Sequence, residues 1–437
     1  MSTLITGIGE LTTNDDERGR MRDAALVVEG GLVAWLGEAA AAPACDERID
    51  VAGRAVLPGW VDSHTHLVFA GDRTAEFEAR MAGQDYAAGG IGVTVAATRA
   101  ASDAALAANL DRLADEMLRG GTTAFETKTG YGLTVDDELR SARIASARAD
   151  SVTFLGAHLV PAGSDPDAYV DLVAGAMLDA VAPHVDAVDV FCERGAFDEA
   201  QSRRVLEAAR AKGLALRVHG NQLGPGPGVR LAVELGAASV DHVAFLDDDE
   251  VRMLADGWQR GARGTVATVL PACDLSTRMP LAPARRLLDA GAVLAIATNC
   301  NPGTSYTTSM AFCVATAVLQ MGLTIEEAVR AATLGGAIAL GLDEGGLDGE
   351  GLDGEGLDGG GLDEEGRDDE GSAAATTHRA ARARGPLGRI RPGARADLQV
   401  LDAPSITHLA YRPGVPLVHA VWRAGERVVA PAALRTS

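Results

Sequence analysis

Along the middle of the chain, apolar residues recur in short continuous runs separated by stretches with a three-to-four-residue period. The runs are Ala55–Asp62, Thr122–Thr127, Val152–Ala157, Ala187–Cys192, Leu214–His219, Ser239–His242, Thr265–Leu270 and Val293–Thr298. Amphipathic helical patterns lie between most of them, such as Asp103–Arg119, Asp136–Arg148, Asp198–Ala211, Gly228–Leu235 and Ala282–Ala290. Apolar strands alternating with helices predict a parallel sheet covered on its outer face. Eight such units predict an α/β fold closed into a (β/α)8 (TIM) barrel rather than an open doubly wound sheet. Thr324 and Glu327 form a capping-box pattern ahead of an apolar-periodic run, which predicts a helix after the eighth strand. No glycine-rich phosphate loop follows the first run, and this counts against a nucleotide-binding fold.

Both ends of the chain read as short strands. They are Leu4–Ile8, Ala25–Glu29 and Leu32–Leu36 at one end, then Ala396–Leu401, Ala420–Ala424 and Arg427–Ala430 at the other. Neither end buries a β-core alone, so together they predict a small β-sandwich flanking the barrel. The expected division is residues 1–54 and 372–437 for the sandwich, 55–340 for the barrel, and 341–371 for an insertion.

That insertion changes the meaning of the net charge. Gly341–Glu370 is six glycine-led pentads carrying thirteen acidic residues and one arginine, which is −12 of the total −22. Its period does not fit a calcium β-roll or an EF-hand, and its composition predicts a solvated, disordered segment. A net charge of −22 argues against nucleic acid or anionic membranes as partners. No apolar run approaches the ~20 residues of a membrane helix. The first residues lack a basic stretch followed by an apolar one, so no signal peptide is expected. Cys45, Cys192, Cys273, Cys300 and Cys313 are scattered, without a CxxC pair, as in a reduced cytoplasmic protein.

The candidate chemistry sits at the ends of the predicted strands, which form the active face of such a barrel. The first run leads into His64-Thr65-His66, whose imidazoles project to one side and can share a metal ion. The fifth ends in His219, the sixth in Asp241-His242, and the eighth in Thr298-Asn299-Cys300-Asn301. A lone His-x-His, or one histidine after a strand, is usually structural. Four at the same end of one barrel point to a metal that activates water.

Several segments resemble the imidazolonepropionases of the amidohydrolase superfamily: VLPGWVDSHTHLVFAGDR, GTTAFETKTGYGLT, FLGAHLVP, DVFCERGAF, RVHGNQL, SVDH, GTVATVLP and ATNCNPGTS. They span most of the chain outside the pentads. The resemblance implies opening of the ring of 4-imidazolone-5-propanoate with one zinc or iron ion, and it admits a homodimer. It places His64, His66, His219 and Asn299 at the metal. It places Arg73, Tyr86, Tyr131, His158, Gln222, Asn301, Gly303 and Thr304 around the substrate, with His242, Gln222 and Asn299 at the reacting centre. A planar arginine suits a propionate, and paired donors and acceptors suit a lactam ring. Without the family match, a surface ion pair for Arg73 and a core position for Tyr131 are the better readings. Lys128 falls after the second strand, not on the fourth where binuclear amidohydrolases carry a carbamylated lysine, so a single metal is expected.

One residue departs from the family pattern. Asn299 stands where an aspartate normally ligates the metal and takes a proton from water, and a carboxamide is no base near neutral pH. The expectation is an intact pocket with strongly reduced turnover. Two rival classes fit the same sequence: a deaminase of a nitrogen heterocycle, to which Arg73 and Tyr131 would be useless, and a ligand-binding relative silenced at Asn299.

Overall fold

The structure is a computed structural model that describes residues 1–83, 90–259, 263–343 and 385–430. Its central sheet has eight parallel strands paired in sequence order: Trp60–Asp62 (β1), Thr122–Lys128 (β2), Ser151–Ala157 (β3), Ala187–Cys192 (β4), Ala215–Gly220 (β5), Ser239–His242 (β6), Val266–Val269 (β7) and Leu294–Ile296 (β8). The ring closes between β8 and β1. Beyond the last ladder residues, Thr65 and Cys300 form a parallel bridge, His66 N–H donates to Cys300 O at 2.9 Å, and Asn299 N–H donates to His64 O at 3.0 Å. Buried Asp62 reinforces this seam by accepting from the Thr298 backbone and hydroxyl at 3.1 and 2.6 Å. The expected barrel is therefore present.

The predicted first strand, Ala55–Asp62, is two strands. Ala55–Pro58 pairs with Leu398–Leu401 and Glu10–Thr12 in a terminal sheet, and only Trp60–Asp62 enters the barrel. Gly59 marks the change: its N–H goes to Asp397 O, and a Cβ there would come within 2.2 Å of Thr123 Oγ1. An apolar run cannot reveal that its two halves serve different sheets.

The chain ends form two sheets that share one apolar core. One has the order Leu32–Glu38, Ala24–Glu29, Ser2–Thr6, Glu47–Asp50. The other joins Glu426–Val429, Val418–Arg423 and Leu398–Leu401 to Ala55–Pro58, Glu10–Thr12 and Arg20–Met21. Ile5, Leu11, Leu26, Val56, Leu398, Val400 and Trp422 fill the space between them.

The barrel helices start where side-chain caps satisfy their first N–H groups. Ser102, Thr134 and Ser309 cap Asp103–Arg119, Val135–Ser146 and Met310–Gln320. Capping boxes at Asp198/Gln201 and at the expected Thr324/Glu327 open Glu199–Ala211 and Ile325–Arg330. Leucine and valine cover the outside of the strands, while the barrel interior holds buried Glu126, Lys128, Asp189, Arg217 and Asp241. Nearly all of the pentad segment, with the disorder expected of it, lies outside the described residues, as does Tyr86.

Candidate metal and substrate site

The seam between β1 and β8 brings His64 and His66 beside Asn299, and their Nε2 atoms lie 3.3 Å apart. His219 is the penultimate residue of β5 and His242 the last of β6. One nitrogen each of His64, His219 and His242 lie within 4.8 Å of one another, so these rings converge on one point.

Carboxylates deeper in the barrel lie beside two of the rings. Asp241 accepts from His64 Nδ1 at 2.7 Å, and His219 Nδ1 lies 3.0 Å from Asp189. With Nδ1 protonated toward Asp241, the His64 ring turns the Nε2 lone pair to the cavity, the form that binds a metal, whereas His219 Nδ1 lies close to Asp189 but outside hydrogen-bond geometry. Burial, reinforced by neighbouring positive charge, holds the pKa of His64, His66 and His242 well below the usual imidazole range. These three rings are neutral near pH 7, as ligation requires. Among the described residues the Nδ1 atoms of His66 and His242 have no hydrogen-bond partner. This donor set fits a metal ion.

Behind the histidines, Lys128 Nζ lies 2.9 Å from Glu126, 3.0 Å from Asp189 and 3.8 Å from Asp241. Burial alone would lower its pKa, but these three carboxylates outweigh that effect and raise it. The same ammonium, together with His219, more than offsets desolvation at Asp189 and keeps its carboxyl below the usual range. An ammonium engaged in this way is not available to bridge two metals.

Several residues reach the site through backbone conformations uncommon for their type. Asn221, His242, Val243 and Asn299 have φ of +55°, +81°, +48° and +53°. All four lie at or just past strand ends. Asparagine and histidine are the side chains most often found in this region, but β-branched Val243 is a genuine outlier there, at a cost on the order of 1–3 kcal/mol. Strain of that kind concentrates at functional sites.

The pocket above the histidines is lined by His66, Arg73, Ile91, Tyr131, His158, Phe191, His219, Gln222, His242, Asn299, Asn301 and Thr304. All but Ile91 and Phe191 are expected site residues. His64 lies just behind them, fully buried. Gly303 packs on Arg73, where a Cβ would approach Nη1 to 2.1 Å. Arg73 is buried and makes a bidentate pair with Glu76 at 2.8 and 2.7 Å, while Arg80 donates to Gly303 O at 2.9 Å. His158 Nδ1 lies 2.9 Å from Gly130 O, which leaves Nε2 as an acceptor, and burial lowers its pKa to about 4. Asn299 faces Asn301, whose Nδ2 donates to its Oδ1 at 3.0 Å and to its backbone O at 2.6 Å.

A sequence profile of the amidohydrolase family matches residues 55–348. Among the most similar relatives, the imidazolonepropionase of Saccharopolyspora erythraea is 64% identical over 98% of this chain and 99% of its own length. That of Paenarthrobacter aurescens is 61% identical over 98% of each. The chain belongs to the imidazolonepropionase family of amidohydrolases. Its fold also matches solved structures at lower identity. An adenosine deaminase from Xanthomonas campestris with bound zinc superposes with a TM-score of 0.66 at 21% identity, covering 98% of this chain and 93% of that one. A triazine hydrolase variant gives 0.67 at 18%, covering 98% and 95%.

This imidazolonepropionase barrel also contains supporting residues that the sequence reading missed. Buried Glu138 accepts from the N–H groups of Gly130, Gly132 and Leu133 at 2.9, 2.8 and 2.8 Å, fixing the loop that carries Tyr131. Glu193 accepts from the Gln222 and Leu223 backbones and sets the turn after β5. Asp189 and Lys128 become interpretable only once the barrel is closed. Charged residues inside otherwise apolar runs were the available signal, since an apolar strand has no reason to carry Asp189.

Proposed function

We infer that this chain hydrolyses 4-imidazolone-5-propanoate to N-formimino-L-glutamate. The observation that carries the reading is Arg73, a buried guanidinium on the wall of the same pocket as the converging histidines. A carboxylate-bearing heterocycle uses both features, whereas an uncharged base has no use for the arginine.

His64, His66 and His219, with Asn299 as a neutral fourth donor, would hold one zinc or iron ion. When bound, the ion supplies Lewis-acid chemistry that acidifies a water and polarises the ring carbonyl. Arg73 takes the propionate, and Glu76 keeps the guanidinium in plane for a two-pronged grip. His158 accepts a ring N–H at Nε2, and the Gln222 carboxamide fixes the opposite edge. Water adds to the ring carbonyl carbon, the adjacent C–N bond breaks, and the departing nitrogen takes a proton. His242, kept neutral by burial, receives the proton that the water gives up. Asn299 cannot take it.

The reading extends to a small organic anion as partner, with neither nucleic acid nor membrane. We place the protein in the cytoplasm as a homodimer. The apolar groove at Phe77, Leu275, Tyr306 and Phe312 supports an assembly of that kind. Among the described residues no helix is long and apolar enough to cross a membrane.

The test is loss of the ultraviolet absorbance of freshly prepared imidazolone propionate, with metal content measured on the same sample. Turnover that disappears on chelation and returns with zinc or iron is expected. Substrate binding without turnover, restored by Asn299→Asp, would instead favour the silenced relative.

A further inference from the structure

Cys273 and Asp274 take no part in the ring-opening scheme, yet they adjoin it. They are consecutive residues of the helix Pro271–Thr277, which follows β7, and both are buried. A nitrogen of His242, the Cys273 Sγ and an Asp274 carboxylate oxygen lie within 4.8 Å of one another. That spacing lets one ion reach all three at ordinary zinc–ligand distances of about 2.0–2.3 Å after small side-chain adjustments.

The partners of these groups are unusual for a protein interior. Asp274 accepts one hydrogen bond, from the Ala282 backbone at 3.1 Å, and has no ion pair among the described residues. A buried carboxylate normally faces a cation, because its desolvation is otherwise uncompensated. Among the described residues His242 Nδ1 has no hydrogen-bond partner. Cys273 Sγ is 3.9 Å from Gln222 Nε2 and also meets the Thr304 and Asn299 side chains.

We propose that His242, Cys273 and Asp274 form a second metal site, taking a thiophilic divalent ion such as zinc or cadmium in a nitrogen–sulfur–oxygen set. The first site, as proposed above, takes His64, His66, His219 and Asn299; His242 adjoins it, one of its nitrogens lying within 4.8 Å of those of His64 and His219. The second set captures His242 and stops it from receiving a proton, so excess metal inhibits the enzyme that a first ion activates. Binding the ion as a thiolate releases the Cys273 thiol proton to solvent.

The inhibitory half rests on the hydrolase reading, but the binding half does not. The decisive experiment is a cadmium chloride titration of the metal-loaded enzyme in a Cys45→Ser background, which removes the one cysteine that is not buried. The thiolate-to-cadmium ultraviolet band and metal content by mass spectrometry are read together. We expect one extra cadmium per chain with a thiolate band. The band is absent in Cys273→Ser and Cys273→Ala, and Asp274→Asn needs at least tenfold more cadmium. X-ray absorption at the cadmium edge of the Cys45→Ser protein should give one sulfur ligand, a readout that does not depend on any site variant folding. A band of equal size without Cys273, cadmium replacing the resident ion with no sulfur ligand, or no extra cadmium would overturn the proposal. An enzyme that binds this cadmium but never opens the ring would leave the second site standing and sink the assigned reaction.

Discussion

Asn299, the proposed fourth ligand, lies at the seam, and its side-chain oxygen is engaged by Asn301. A carboxylate there adds a base and an anionic ligand. General-base catalysis is typically worth about 10²–10⁴-fold. Asn299→Asp is therefore expected to raise kcat by at least tenfold and tighten metal binding, measured by steady-state rates and chelator competition. An unchanged kcat would mean that His242 alone suffices as proton acceptor. His158 supports a second prediction. Its folded pKa, about 4, lies below the usual 6.5. Between those values the unfolded chain binds a proton that the native state refuses, so stability rises with pH across the window and is lost on acidification toward 4. This contributes up to about 1.4 kcal/mol per pH unit. The stability difference between the parent and His158→Gln should slope across pH 4.5–6.5 by that amount, read from urea midpoints, and a flat difference would count against the burial argument. At this scale the histidines were legible from their joint placement at the strand ends, and Arg73 only through the family resemblance. Glu138 and Glu193 were not, since they act on backbone N–H groups whose positions depend on loop conformation.

Alternate strands carry the charges under the site: Lys128 on β2, Asp189 on β4 and Asp241 on β6. Removing the cation leaves buried carboxylates facing one another, and breaking a buried pair in this way costs about 3–5 kcal/mol. Lys128→Met should lower the melting temperature sharply. Zinc should recover more of that loss than it adds to the parent, because a bound dication supplies charge to the same carboxylates. Calorimetry with and without zinc reads both effects, and equal zinc shifts in the two proteins would contradict the shared-charge account. Runs β2 to β8 were readable as strands because each is largely apolar, apart from one or two buried charges, and belongs to one sheet. The first run reads as continuous because hydrophobicity does not record which sheet a strand joins, and the break at Gly59 shows only in its close approach to Thr123 on a distant segment. Glu10–Thr12, Arg20–Met21 and Glu47–Asp50 are too short or too polar for an apolar run to reveal them.

The described residues stop at Asp343 and resume at Gly385. Leu387 N–H donates to Leu342 O at 2.7 Å, so the two ends are tied together just inside these limits. Replacing residues 345–384 with a short glycine–serine linker is expected to leave kcat and KM within about twofold. Loop-closure entropy favours the shorter connection by on the order of 1–2 kcal/mol, so the melting temperature should stay level or rise. A fall of several degrees in the melting scan would mean that the segment makes stabilising contacts.

The seam between β1 and β8 also imposes an order of events on biosynthesis. His64 and His66 emerge early, yet their neighbours Asn299 and Cys300 are translated more than two hundred residues later. Ala55–Pro58 must wait longer still for Leu398–Leu401. A nascent chain on the ribosome holds its first two imidazoles without the partners that fix them. Loading of the proposed metal is thereby deferred until the residues around Asn299 and Cys300 have left the exit tunnel.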